Sequence, residues 1–361
     1  MLGAAVEDFE REFAGFLGGG HAVGMSSGTD AQLALLMALG IGPDDAVITT
    51  PYTFFATAGC IHRVGAAIVF VDVEPDTLNM DPAALENFLA TCRRDDSGRP
   101  LTAGGRVVRL IVPIHLFGLC ARMDEIGELA RTFGLMILED AAQAIGAEYA
   151  GRNGIQRAGL IAETSYFSFF PTKNLGGAGD GGMSVCKDGE LAAKLRVVRN
   201  HGMEQRYFHK SVGGNFRLDA IQAAVLHAKL PFLAGWNASR RRNAAIYRNG
   251  FDSAGLHGLV TPPPAPDPGL ENSHIYHQFV VRAEDRDGLF AYLQQNGIGC
   301  AIYYPVPLHL QECFASLGYK AGDFPISEAA SRESLALPIF PELREEEIAE
   351  VVETIARFYH R

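Results

Sequence analysis

The window Ser168–Gly182, SFFPTKNLGGAGDGG, sets one lysine, Lys173, between an aromatic and proline run and a glycine-rich turn. A lysine behind Phe169, Phe170 and Pro171 at a strand end is partly desolvated, which disfavours its charged form and frees the lone pair that imine formation needs. Taken alone, a lysine in such a place is also compatible with a solvated loop. The window contains a literal G-x-G-x-x-G at 177–182. A dinucleotide fingerprint follows a strand and opens a helix, whereas this one precedes the strand-like MSVC. The glycines read better as letting backbone pass close to a bound group.

Two other stretches carry complementary chemistry. Ser26-Ser27-Gly28-Thr29-Asp30 lies between a strand-like HAVGM and a helix-forming AQLALLMAL. Free N–H groups and the positive dipole end of a helix suit a phosphate there, with the Thr29 hydroxyl as an extra donor. Ser27, Thr29 or Asp30 would equally serve as a simple N-cap. Asp140 ends the strand-like LMILED just before AAQAIG. A carboxylate at that point could accept the N–H of a pyridinium ring and hold the ring cationic, as an electron sink requires; a helix cap is the plainer role. Gln143, one turn further on, would face the ring's hydroxyl side. An anion-binding turn, a strand-end carboxylate and a strand-end lysine are the parts of a pyridoxal 5'-phosphate (PLP) site.

The elements that must position these groups alternate along the chain. Between Val47 and Val185 the apolar runs AVITT, AAIVFVDV, VVRLIVPIHL, LMILED, TSYFSFF and GGMSVC are separated by helical patterns. Near-continuous apolar strands of this kind predict an α/β fold with a mostly parallel sheet covered on both faces and its chemistry beyond the strand ends. Leu218–Leu230 is a strong helix former stopped by Pro231. After the polar, basic stretch Asn237–Arg248, PPPAPDP at 262–268 reads as a stiff connector, and HIYHQFVVR and IGCAIYY as strands of a smaller domain. Glu345–Tyr359 is an amphipathic helix with Ile348, Val351, Val352, Ile355 and Phe358 on its core-facing stripe. The expected division is 1–232 for a large domain and 233–361 for a small one.

Composition narrows the function classes. The 361 residues suffice for a large core, and 48% apolar with 20% charged residues is ordinary for a globular chain. A formal charge of -11 argues against a general nucleic-acid or anionic-membrane surface. The six cysteines are scattered, with no close zinc-binding or redox pair, so a reduced, cytoplasmic setting is expected. No apolar run approaches the roughly 20 residues that span a bilayer, and MLGAAVEDFEREF reads as an amphipathic helix rather than a signal segment. The H-x-x-H at His274 and His277 is not expected to bind metal, because strand alternation would point the two rings to opposite faces.

The chain resembles the DegT/DnrJ/EryC1/StrS family of sugar aminotransferases, which have the aspartate-aminotransferase fold (PLP fold type I). SSGTDAQLAL, TPYTFFATA, VFVDVEPDTLNMDP, PIHLFG, EDAAQAIGAEY, FSFFPTKNLGGAGDGG, GGNFRLDAIQAAVLHAKL, YYPVPLHLQ and LALPIFPEL carry the resemblance over nearly the whole sequence. It implies a large domain with a mostly parallel, seven-stranded sheet plus a smaller C-terminal α/β domain. Residue by residue, it implies Lys173 as the Schiff-base lysine, Asp140 at the pyridine nitrogen and Gln143 by the ring oxygen. Gly28, Thr29 and Ser168 become phosphate donors, and Phe54 the aromatic stacked on the ring. Asn215 would reach the phosphate of a neighbouring subunit's cofactor, which implies a homodimer with shared sites. The implied substrate is a nucleotide-linked keto-sugar near Tyr304 and His309, with glutamate as amino donor. Arg217 would meet an anionic group or pair with Asp219 or another carboxylate, and for His309 a surface position is the alternative. The family pattern extends further before VEDFEREF, a departure that bears on how enclosed the acceptor is. KNLGGAGDGG resembles members that aminate the third ring carbon; fourth-carbon, aminocyclitol and aminobenzoate-forming relatives share the same machinery. Dehydrating relatives commonly carry histidine in place of Lys173, and a regulatory, non-catalytic role is opposed by the intact lysine, Asp140 and Ser168.

Overall fold

The computed structural model describes residues 2–360. One sheet dominates it, with strands in the order His21–Met25, Gly182–Cys186, Thr164–Ser168, Met136–Asp140, Val107–Ile111, Asp45–Thr49 and Ala67–Phe70. Gly182–Cys186 is antiparallel to both its neighbours, and the remaining pairs on this path are parallel. Two short strands, Arg93–Arg94 and Pro100–Leu101, extend the sheet at the side. The mostly parallel core expected from the apolar runs, with the seven strands that the family resemblance implies, is therefore present.

Alternation along the central strands divides the core. In Thr164–Ser168, Tyr166 packs with Leu33, Leu36 and Leu138, while Phe167 turns the other way onto Phe13. Phe13 meets Phe167 edge-on at a ring separation of 5.0 Å and Phe169 at 5.4 Å. The first helix, Ala4–Leu17, owes its place to this stripe: Val6, Phe9, Phe13 and Leu17 recur at helical spacing and are buried. Glu10, on the same helix, accepts hydrogen bonds from Gly24 N–H at 2.7 Å and from the buried Arg199 guanidinium at 2.5 Å. The helix is thus tied both to the edge strand and to the helix Gly189–Arg199.

A second core surrounds the antiparallel strands Val260–Thr261, Phe279–Ala283 and Ser334–Leu337. Tyr247, Phe251, Leu289, Ile348, Val351, Val352 and Ile355 fill it. The helix Leu233–Ser253 serves both cores. Leu233 packs with the large-sheet cluster and Asn237 donates to the Ile145 carbonyl, whereas Ala244, Tyr247 and Phe251 lie in the small one. Pro231 does not end the helical path. It falls in a 3-10 turn, Leu230–Phe232, from which the chain re-enters a 21-residue helix.

Two strand expectations are corrected. HIYHQFVVR becomes a strand only from Phe279, because Tyr276 adopts the left-handed region at φ 46° and breaks the alternation. IGCAIYY makes a single bridge, Ala301 to Ala336, and then meets Pro305 and Pro307, which cannot donate to a ladder. PPPAPDP is irregular as expected, with two of its carbonyls, those of Pro263 and Pro264, accepting from Arg248. No helix among the described residues is long and apolar enough to cross a membrane.

Truncating Phe13 to Ala removes a fully buried ring from the contact that seats the first helix on the sheet. The expected loss is about 3–5 kcal/mol, read as a lowered unfolding midpoint in denaturant. A wild-type midpoint would show that the helix contributes little to the core.

Candidate active site

The parallel strands deliver their carboxyl ends to one edge of the sheet, and a cleft of about 440 Å³ opens there. Ser27, Gly28 and Thr29 follow the strand ending at Met25; Asp140 ends its own strand; Ser168 ends a third and leads to Lys173. These residues line the cleft together with Phe54, Thr57, Gln143, Tyr166, His277, Gln278 and Tyr304.

At one end the helix Gly28–Ala38 presents its N-terminus. Ser27 is its cap, accepting from Asp30 N–H at 3.0 Å, which leaves the Thr29 hydroxyl free of that duty. Close approach here depends on two glycines. A Cβ on Gly28 would stand 2.7 Å from Ser168 Cβ, and one on Gly182 would stand 2.2 Å from the Ser27 carbonyl oxygen. Strand end and helix start can therefore close round a small anion only without side chains at these two positions.

At the other end lies Asp140, 6% exposed. Its Oδ2 accepts from the Thr57 hydroxyl at 2.9 Å and from the Tyr166 hydroxyl, and its Oδ1 from Ala142 N–H at 3.1 Å. The phenol of Tyr166 is pushed well above the usual tyrosine range, first by burial and then by the Asp140 charge, so it stays protonated and donates. Gln143 accepts from Phe117 N–H at 2.7 Å and donates to the Tyr304 hydroxyl at 3.0 Å. The Lys173 side chain is partly buried in the cleft. Burial drives its amine from the usual lysine value down to about 8, against the opposing pull of the Asp140 carboxylate.

Three residues named from the sequence do not line this cleft. Asn215 is exposed. Arg217 donates to the Asn200 side-chain oxygen at 2.8 Å, rather than to Asp219 or another carboxylate. His309 is buried at 2% exposure, against Glu328 at 3.2 Å and edge-on to Phe324, so it is not a surface histidine. Phe54 lines the cleft but is 58% exposed. The two histidines of the H-x-x-H part company, His274 stacking on Tyr276 and His277 bonding Asn174. Thr57 and Tyr166 were not anticipated. Tyr166 was within reach of the sequence, since period two puts it on the face of Ser168 and pairing sets it opposite Asp140; nothing local marks Thr57.

The sequence profile of the DegT/DnrJ/EryC1/StrS aminotransferase family matches residues 1–356. The chain belongs to that family. A UDP-N-acetyl-3-dehydro-alpha-D-glucosamine 3-aminotransferase of Acidithiobacillus ferrooxidans is 43% identical over 360 residues, which cover 100% of this chain and 90% of that protein. A pleiotropic regulatory protein of Geobacillus stearothermophilus is 45% identical over 359 residues, covering 99% and 90%. Among solved structures, that of S. venezuelae DesV in complex with a ketimine intermediate superimposes with a TM-score of 0.89 at 39% identity, covering 100% of this chain and 91% of DesV.

Family members are aminotransferases that use PLP, and so is this chain. Its residues fit that cofactor. The glycine-lined helix start matches an anionic phosphate, the Asp140 carboxylate a ring N–H, the Gln143 amide a ring oxygen, and the Lys173 amine, its proton loosened by burial, an aldehyde carbon.

A titration tests the balance at Lys173. An acylating reagent attacks only the neutral amine, so in cofactor-free protein the pH profile of Lys173 labelling, followed by peptide mass, should have its midpoint near 8. The Asp140→Asn variant removes the group that favours the ammonium form, and its midpoint should lie lower still. A midpoint in the ordinary lysine range, or one raised by Asp140→Asn, would contradict the assignment.

Proposed function

We propose that this chain moves an amino group from glutamate to the third ring carbon of a nucleotide-linked keto-sugar. The observation that carries the reading is the convergence, in one cleft, of the desolvated Lys173 amine, the Asp140 carboxylate and the glycine-lined helix start. The Acidithiobacillus relative, named for 3-amination of a UDP-sugar, and the KNLGGAGDGG turn support the third carbon.

When bound, PLP supplies the electron sink that stabilises negative charge at the amino-bearing carbon and carries nitrogen between the half-reactions. Gly28 and Thr29 N–H groups, with the Thr29 and Ser168 hydroxyls, would hold its phosphate. Phe54 would pack against its ring. Asp140 would keep a proton on the pyridine nitrogen, its carboxylate fixed by Thr57 and Tyr166. Lys173 Nζ, once freed by the incoming donor, would take the proton from the donor's Cα and pass it to the bound cofactor, ending ready to carry a proton in the second half-reaction. In the second half-reaction it delivers a proton to the sugar carbon that gains nitrogen. Proximity of base and carbon replaces an encounter in solution. Tyr304, oriented by Gln143, faces the acceptor.

Asn215 is exposed and does not line its own cleft, and Phe54 and Phe170 leave apolar surface on the cleft lining. Both features support a homodimer in which Asn215 reaches the partner's cofactor phosphate. Arg217 would then serve substrate from outside the lining of a single subunit, whereas His309, buried against Glu328 and Phe324, would not touch it. A regulatory role is suggested by the name of the Geobacillus relative. The retained Lys173 and Asp140 favour turnover instead.

Purified protein is incubated with PLP, glutamate and a panel of nucleotide-linked 3-keto and 4-keto sugars, with products identified by mass. Amination of a 3-keto isomer is expected, with the rate in Lys173→Ala lower by more than about a hundredfold. Amination of a 4-keto isomer instead would overturn the regiochemistry. Absence of any product from a PLP-loaded protein would favour the regulatory reading.

A further inference from the structure

A chain of buried amides, Asn237 and Asn174, ends on His277, a residue of the cleft lining beside Lys173. Asn237 donates from Nδ2 to the Ile145 carbonyl at 3.1 Å, so its Oδ1 faces Asn174. Asn174 must then donate from Nδ2, at 2.7 Å to Asn237 Oδ1 and at 3.3 Å to the Ile275 carbonyl. Its own Oδ1 is thereby fixed toward His277 Nδ1, 3.1 Å away. An amide oxygen only accepts, so His277 Nδ1 carries the proton. Asn237, Asn174 and His277 are 2%, 7% and 8% exposed, which leaves little water to relax this order.

We infer that His277 is a positioning residue for Lys173: a neutral imidazole, protonated at Nδ1, that offers the lone pair of Nε2 to the lysine amine. Nε2 makes no hydrogen bond among the described residues, and His277 lines the cleft beside Lys173. The left-handed turn at Tyr276 delivers it there, since that turn breaks the strand alternation. Burial and the two cations that face it, Lys173 and Arg240, hold the ring well below the ordinary histidine range, so it remains an acceptor at neutral pH. Arg240 is itself fixed on the carbonyls of Tyr276, His277 and Ile339. Asn174 follows Lys173 directly in the chain, so one short segment carries both the amine and the amide that fixes the ring. An acceptor at that place directs one N–H of the free amine and so aims its lone pair. The inference rests on Lys173 being the imine-forming lysine, but its test does not use the cofactor.

Cofactor-free protein labelled with 15N-histidine gives the tautomer by correlation NMR. The His277 signals are assigned by their loss in His277→Gln, or by through-bond correlation should that variant not fold. A protonated Nδ1 with a pyridine-like Nε2 at neutral pH is expected; a proton on Nε2, alone or in an imidazolium, would overturn the inference. The second readout is the labelling midpoint of Lys173. His277→Leu removes the acceptor and should lower the midpoint by roughly half a unit or more, whereas His277→Gln keeps an acceptor and should restore it. An unchanged or raised midpoint in His277→Leu would equally overturn it. PLP binding and borohydride trapping report on Lys173 separately, so failure here is distinguishable from failure of the functional reading.

Discussion

Taking an ammonium group out of water favours its neutral form, and placing a carboxylate in the same cleft favours the charged one. The site depends on how these two effects balance at Lys173, where burial outweighs the attraction of Asp140 and leaves the amine near 8. An amine in that range is nucleophilic at neutral pH and can still carry a proton, which is what a residue that both forms an imine and shuttles a proton requires. The carboxylate has to be held in place without cancelling this balance. Hydroxyl groups of Thr57 and Tyr166 do so, adding donors but no second cation beside the amine.

The sheet makes that balance geometrically available. Parallel pairing sends the ends of several strands to one edge, so that residues far apart in sequence, Gly28, Asp140 and Lys173 among them, open onto one cleft. Gly182–Cys186 runs the other way between two parallel strands, and its Gly182 permits the Ser27 carbonyl to come close. The aromatic contact of Phe9 and Phe13 with Phe167 and Phe169 supports the opposite face of the strand that ends in Ser168. Core packing and cleft geometry therefore meet on the one strand Thr164–Ser168 and the residue that follows it.

Much of this was legible in the sequence, because apolar runs and the residues that end them are local signals. Asp140, Ser168 and Lys173 each sit where a predicted strand stops, and the glycines around them announce close backbone approach. What sequence did not disclose depends on contacts between distant segments. Thr57 reaches Asp140 from a helix with no distinguishing pattern. His277 looked like one of a strand pair and was sent into the cleft by an unusual backbone angle at Tyr276, which composition does not encode. His309 could be read as surface or substrate contact, and its burial against Glu328 and Phe324 arises from loops packed onto the large-sheet core through Leu308 and Phe324. Asn215 and Arg217 lie outside the cleft; the role expected of Asn215 concerns a second subunit, and Arg217 bonds Asn200.

The central claim is that the Lys173 Nζ bonds covalently to the PLP aldehyde carbon. Loading the protein with PLP, reducing it with borohydride and mapping the digested peptides by mass tests this directly. The account predicts a phosphopyridoxyl adduct on the peptide containing Lys173, resistant to dialysis. An adduct confined to another lysine, or none at all in a protein that has bound PLP, would contradict it.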